Sequence, residues 1–524
     1  MTTSPHLLLL PVLLPVVAAA VMLLLPRRYG AVRAWMALLA TVGGLVGASL
    51  VLAEVAGGDR AVVLHVGGWV APYGICLVGD ALGATMAVMC QFVVLCGVLY
   101  AMGCVDKCVK YPAFYPLLMT LSAGLSGAML TGDLFNFFVF AELLVISGTV
   151  LTAMSDHRNG IEAAYKYFYV SLVAASLLLV ANGCLYAAYG TLNMADLSVR
   201  IAENPDVPVA AVGLVMLVAA LCIKGAAAGF HFWQPDFHTT APTPISALLS
   251  SVVVKLGVYG LLRTVTLLFP HQADTLGTVL VILGCAGAIF GGLGAAGTQD
   301  LKRMLAYSTI AQLGFILAAI GWGSPVAIAA AIIFSVNHAL AKAAMLMLAG
   351  SVASVASIKS ASFSVVQGVG RKRPFAGVLF LFGGLALIGL PPTNGFISKL
   401  SVLRGGISVE AWIALAFLGI GGVVTLTYVA RAMQRVWWLS PEPGMEPKPK
   451  RGDSLLAPAI LVSGCVVLGV WAEPLVKLAD ATAAWTLEPT AYRAEVLEAR
   501  ENSATGSLVV DASPVAEKQE GGKP

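Results

Sequence analysis

Charge is what this 524-residue chain is short of. Asp, Glu, Lys and Arg make up 11% of it, where soluble domains carry about 25%. With a hydrophobic share of 59% and a mean hydropathy of +0.88, that shortage excludes a soluble enzyme and reads as an all-α polytopic membrane protein. The net charge of +4 is small and gives no footing for a nucleic-acid partner. The chain also lacks a CxxC pair and a soluble domain. No cofactor or metal is therefore expected, and electron transfer, if any, belongs to partner subunits. Of the nine cysteines, Cys90, Cys96, Cys184, Cys222, Cys285 and Cys465 lie in apolar runs, where Cys serves as a small hydrophobe. Cys104 and Cys108 form a CxxxC at a helix end; without a second ligand pair, packing is the favoured reading. The opening MTTSPHLLLLPVLLP has no basic segment and no cleavage site, so it reads as the first membrane helix.

What the chain has in abundance is long apolar runs. A span takes about 20 apolar residues, which gives about fourteen helices. They fall near residues 7–25, 34–53, 78–103, 113–131, 133–154, 164–188, 208–230, 243–266, 275–297, 303–321, 326–349, 375–402, 410–434 and 454–473. Loop charges test this count. Arg27, Arg28 and Arg33, Lys107 and Lys110, Arg158 and Lys166, Lys302 and Arg303, Arg371 to Arg373, and Arg431 to Arg451 all land on one side. Glu54, Asp59, Asp196, Glu203 and Asp206 lie opposite, with isolated Arg60 and Arg200. This bias places the basic side in the cytoplasm and both termini on the outer face of the cell membrane. The 231–242 loop breaks the pattern, since it belongs inside yet carries only histidines and Asp236.

Two apolar segments contain their own helix breakers: Gly225–Pro244, and Gly389-Leu-Pro-Pro-Thr-Asn-Gly395. Paired interruptions point to inverted repeats around a midplane ion site, because freed backbone groups persist only where protein or water satisfies them. The expected organisation is three helices in 1–112, a first five-helix repeat in 113–266, a second in 275–434, and a last span at 454–473. In 474–524, DATAAWTLEPTAYRAEVLEA reads as a short interfacial helix with Trp485 and Tyr492 near the headgroups. The last twenty or so residues read as a disordered tail.

Inside the runs sit charges that a membrane disfavours: Glu142, Lys224, Lys255, Lys342 and Lys399, with His338 among them. Each ammonium near the midplane costs about 2.5–3.5 kcal/mol, so such residues are functional by default. Lysine suits a charge pathway because a neighbouring charge readily tips a buried ammonium between its two forms. Glu142 is the acid available as counter-ion to Lys224. His338 and Lys342 are one turn apart on one helix face; with the lysine beside it, His338 reads as a proton relay more than as an interhelical hydrogen bond. Asn337 adds a polar neighbour. Asp133 reads equally as a helix cap and as the guard of an ion entrance. Lys302 and Arg303 read as anchors at a helix end. For Asn136, Ser308, Gln312 and Thr393, bonding between helices is the commoner role. The stretch His231, Trp233, Asp236, His238 invites a metal, but no Cys or Glu joins it, and a proton entrance is the better reading.

The segments DLFNFFVFAELL, FHFWQPDFHTTAPTPISALLSSVVVKLGVYGLLR, DLKRMLAYSTIAQLGF, NHALAKAAMLMLAG and GLPPTNGFISKL resemble the signatures of the antiporter-like subunits shared by respiratory complex I, membrane-bound hydrogenases and Mrp cation/proton antiporters. The resemblance spans about residues 75–435. It implies fourteen helices, two inverted five-helix repeats with broken helices, and a lateral chain of charges that conducts protons. It places the Glu–Lys pair at Glu142 and Lys224, the central lysine at Lys255, the relay at His338 and the terminal charge at Lys399. Complex I relatives share FHFWQPDFH but usually end in Glu where Lys399 stands. PTPISAL, GLPPTNGFISKL and LEPTAYRAEVL look more like the D-type component of Mrp antiporters and its hydrogenase relatives. The implied partners are other membrane subunits, the bilayer and H+, with Na+ left open. The alternative host is a complex I-like NADH-quinone oxidoreductase or a membrane-bound hydrogenase.

Overall fold

Acidic and hydroxyl side chains set where many helices begin. Asp80, Asp133 and Asp300 each accept from the backbone N–H three residues on, and Ser324 does the same for the helix after it. Each side chain satisfies a donor that a helix start leaves open. In this computed structural model, residues 4–155, 158–446 and 452–504 are described, with side chains through 497. The chain is mostly helical, and every apolar run named above is occupied by a helix or a broken pair. Ten helices are long and apolar enough to cross a membrane, or eleven if the bent pair Leu456–Val470 and Glu473–Thr486 is one span. Phe114–Leu130, Pro208–Lys224 and Pro374–Ile388 are shorter apolar helices.

The helices divide by burial. Thr243–Leu268 and Pro325–Val355 are 94% buried over their most apolar stretch, and Leu301–Trp322 is 89% buried. These three form the core. Peripheral helices such as Gly30–Val55 and Trp412–Trp438 bury only 39% and 33% of theirs. Pro325–Val355 packs against Leu301–Trp322, Asn394–Ser408, Pro374–Ile388 and both halves of the bent pair. Ala273–Gly297 and Leu301–Trp322 pack through glycines seven apart. A Cβ on Gly277 would lie 2.3 Å from Gly321 O, on Gly284 2.6 Å from Gly314 O, and on Gly291 2.4 Å from Ala311 N. The string Gly292-Leu-Gly-Ala-Ala-Gly297 has the spacing of a dinucleotide-binding turn, but it closes a membrane helix with no strand before it, so it packs and does not cradle phosphate.

Both broken regions are real. The first leaves Pro208–Lys224 at Gly225 and resumes as Gln234–Thr240, then Thr243–Leu268 after Ala241-Pro242. The second leaves Pro374–Ile388 at Gly389, whose φ is +87°, and resumes as Asn394–Ser408.

Three features were not legible. A β-hairpin pairs Val62–His65 with Cys76–Gly79. Helix Met194–Glu203 lies across the same end of the molecule, where Asp133 and Asn193 form an isolated bridge. The C-terminal segment is helical as expected, over Glu473–Thr486 and Pro489–Ala504, yet Trp485 and Tyr492 are 4% and 2% exposed. They are packed into protein and do not face headgroups, because each covers a buried charge described below. Of the proposed tail, residues 505–524 lie outside the described residues.

Candidate functional site

Lys224 ends its helix. Gly225 caps it and Ala226 follows at φ 54°, a left-handed value unusual for alanine, so the backbone turns away directly after the lysine. Its ammonium lies 2.8 Å from Glu142 Oε1 on Leu134–Ala153. The expected pair therefore forms. Lys255 follows a π-helical segment, Leu249–Val253; such bulges widen the turn and redirect the residues after it. Lys255 is fully buried, with Nζ 2.7 Å from His338 Nδ1. The two lysine-bearing helices touch through glycine, since a Cβ on Gly257 would lie 2.5 Å from Gly225 N.

His338 and Lys342 share a helix face but take separate partners. Lys342 Nζ donates to Leu305 O at 2.8 Å, one turn from Lys302 on the neighbouring helix. Lys399 Nζ donates to Ile388 O at 2.8 Å and lies 5.0 Å above the Phe315 ring. Ile388 ends the upstream half-helix, where carbonyls left without helical partners favour a cation. One face of Leu301–Trp322 connects these lysines: Leu305 O holds Lys342, Ser308 Oγ meets Tyr428 OH at 2.7 Å, Gln312 Nε2 donates to Leu387 O at 3.4 Å, and Phe315 lies under Lys399.

The supporting residues separate. Asp133 caps its helix through Asn136 N at 2.7 Å. Asn337 Nδ2 donates to Ala386 O at 3.4 Å. His231 packs on Phe232 and Phe290 with ring centroids 4.9 Å apart in each case. His238 is fully buried, and neither ring nitrogen has a partner among the described residues. No group of three or more His, Cys, Asp or Glu among the described residues is arranged to hold a metal. Asp236 pairs with Lys166 at 3.4 Å and Arg303 at 3.1 Å.

Two features escaped the sequence reading. Lys302, read as an end anchor, is 8% exposed and reaches Ala241 O at 3.4 Å. It lines a cavity of about 970 Å³ that also takes in Asp106, Lys359 and Asp453, with Thr243 and Gly350 from helices. On its rim Asp106 pairs with Lys359 at 2.7 Å. Burial pushes the Asp106 carboxyl up, but the Lys359 hydrogen bond and charge, with Lys302, outweigh it and hold the group below its ordinary 3.8. The second feature is an ion pair, Asp80–Arg263, at 2.6 Å and almost wholly buried. Asp80 also accepts from Gly83 N at 2.8 Å and Trp485 Nε1 at 3.0 Å. Arg263 Nε donates to Tyr259 OH at 3.1 Å, and the guanidinium lies 5.0 Å from the Tyr492 ring. Arg263 stands inside an apolar run, and that was the signal available.

A family profile described as NADH:quinone oxidoreductase/Mrp antiporter, TM, matches residues 131–425. The chain is 30% identical over 494 residues to the D component of the Na(+)/H(+) antiporter of Alkalihalophilus pseudofirmus, covering 94% of this chain and 99% of that one. It is 33% identical to the N component of the NADH-quinone oxidoreductase of Desulforudis audaxviator, covering 90% and 97%. Its fold matches a polypeptide of the Mrp complex from Dietzia sp. DQ12-45-1b with a TM-score of 0.86 and 25% identity, covering 95% of this chain and all of that one.

Proposed function

The chain belongs to the NADH:quinone oxidoreductase/Mrp antiporter membrane family, and from that premise we propose that it is the proton-conducting subunit of a multisubunit Na+/H+ antiporter. It lies in the cell membrane as fourteen spans, with the short apolar helices completing the count. Helices 113–266 and 275–434 form two inverted repeats, and both termini face outward. Other membrane subunits surround it, and Na+ is the exchanged ion.

One observation carries this reading: buried basic groups run in series from one broken helix to the other. Protons enter by a half-channel on the basic side, pass Lys224, Lys255, His338 with Lys342, and Lys399, and leave by another. A charged Lys255 donates to His338 Nδ1 at 2.7 Å, so transfer there needs no rearrangement of the backbone. Glu142, 2.8 Å from Lys224, is the partner of the first lysine, and parting the two frees that lysine to pass its proton onward. His338 Nε2, Asn337 Oδ1 and the ring nitrogens of His238 have no protein partner among the described residues. Buried polar atoms of this kind are ordinarily met by water, which supports a line that water completes. Asp133, His231 and Ser308 support the entrance and the lateral path.

The test is ΔpH-dependent Na+/H+ exchange in vesicles carrying the whole native complex, with wild type beside Lys224→Ala and Lys255→Ala. Exchange without an electron donor, lost in both variants, is the expected result. Exchange that needs a reductant favours the second reading, a pump arm of an NADH-quinone oxidoreductase, for which the 33% identity to an N component of such an enzyme speaks.

A further inference from the structure

On the helix Lys255–Arg263, the central lysine is followed one turn on by Tyr259 and another turn on by Arg263. The column spans eight steps along the helix, about 12 Å at 1.5 Å per residue. Its members are buried throughout, with Tyr259 1% and Arg263 3% exposed. It heads for the end of the molecule that carries the acidic loops. There it stops in a bonded cluster: Tyr259 OH accepts from Arg263 Nε, Arg263 Nη2 donates to Asp80, and Trp485 Nε1 donates to the other Asp80 oxygen. Tyr492 covers the guanidinium face, and Arg493 ties its helix to Ser198 Oγ at 2.8 Å. The C-terminal motif LEPTAYRAEVL thus supplies Tyr492 and Arg493 to a place the proton series does not use.

A proton chain needs each member to accept as well as donate. A guanidinium has five donors, no acceptor, and does not give up its proton. A column of buried polar side chains at one-turn spacing that ends on Arg263 therefore ends as a path. Arginine placed in a pore likewise excludes protons.

We infer that Asp80 and Arg263, clamped by Trp485 and Tyr492, are positioning residues that close the outer end of the Lys255 column, so that protons reaching Lys255 pass sideways to His338 and do not leak outward. This rests on the proton-conducting reading above. Asp80 fixes the guanidinium against Tyr259, and the C-terminal helices fix Asp80.

The experiment measures the decay of an imposed ΔpH in vesicles carrying the whole complex, in a choline medium free of Na+. Arg263→Gln, and the double variant Asp80→Asn with Arg263→Met, are expected to speed the decay about tenfold, equivalent to removing roughly 1.4 kcal/mol from a barrier. Trp485→Phe, which keeps the ion pair, gives a smaller rise, and Arg263→Lys holds the gradient. Adding Lys255→Met to a leaky variant restores wild-type decay, which general damage to the protein would not do. Wild-type decay in Arg263→Gln and in the double variant, at normal abundance in the membrane, reduces the cluster to a structural staple and overturns the inference. If those two fail to accumulate, Trp485→Phe decides by the same readout. Absent Na+/H+ exchange in wild type sinks the functional reading instead, and the leak measurement does not depend on it.

Discussion

Two sets of buried charge lie within the same helix bundle and are built in opposite ways. Around Arg263, the charge is paired with Asp80 and bonded to Tyr259, and both Asp80 oxygens are used. Lys224, Lys255, Lys342 and Lys399, the lysines of the proposed pathway, each have one hydrogen bond among the described residues: to Glu142, His338, Leu305 O and Ile388 O. An ammonium has three donors. A charge fixed by a carboxylate, a hydroxyl and two aromatic rings is held; a charge resting on a single hydrogen bond changes partners at less cost. On the proposed function, the difference separates charge that anchors from charge that moves.

The sharpest way to break that comparison is to neutralise one member of each set. Lys255→Met is expected to lower Na+/H+ exchange by about 100-fold or more, the scale of losing a proton-transfer group, with normal abundance in the membrane. Arg263→Met acts on the fold instead. It strands the Asp80 charge and costs about 3–5 kcal/mol, which removing Asp80 as well largely restores; abundance and thermal midpoint read this out. Equal loss of abundance in both variants would erase the distinction. Glu142→Gln sharpens it further, since it keeps the shape at Lys224 and is expected to slow exchange about tenfold, as for a weakened transfer partner. Trp485→Phe removes one hydrogen bond to Asp80 and lowers stability by about 1–2 kcal/mol.

The smallest effect belongs to the Asp106–Lys359 bridge, whose lysine is 64% exposed. Its carboxyl is held below 3.8 in the folded state. The bridge therefore stabilises fully above that pH, and its contribution fades as pH falls below it. Asp106→Asn is expected to cost less than about 1 kcal/mol and to remove this acid-side dependence from the thermal midpoint.

The sequence made the apolar helices legible because a bilayer leaves few alternatives for a run of 20 apolar residues. The Glu142–Lys224 pair was legible by elimination, as one acid amid lysines. Contacts that depend on tertiary approach were not. His338 was read against Lys342, its neighbour in sequence, whereas it bonds Lys255, 83 residues away. Lys302 passed for an end anchor because a span's first residues usually face water, and the Ala241 break that shelters it is invisible to hydropathy. Trp485 and Tyr492 carried the signature of interfacial aromatics; only the fold reveals the Asp80 and Arg263 beneath them. The hairpin at Val62–Gly79 is too short to show a period.

The glycine contact between Ala273–Gly297 and Leu301–Trp322 offers a fixed ruler. With backbone against backbone at Gly277, Gly284 and Gly291, those helices have little room to slide past one another. Spin labels on their outward faces would report a constant separation through turnover. Any distance from that pair to the half-helices bearing Lys224 or Lys399 then becomes a direct gauge of what moves.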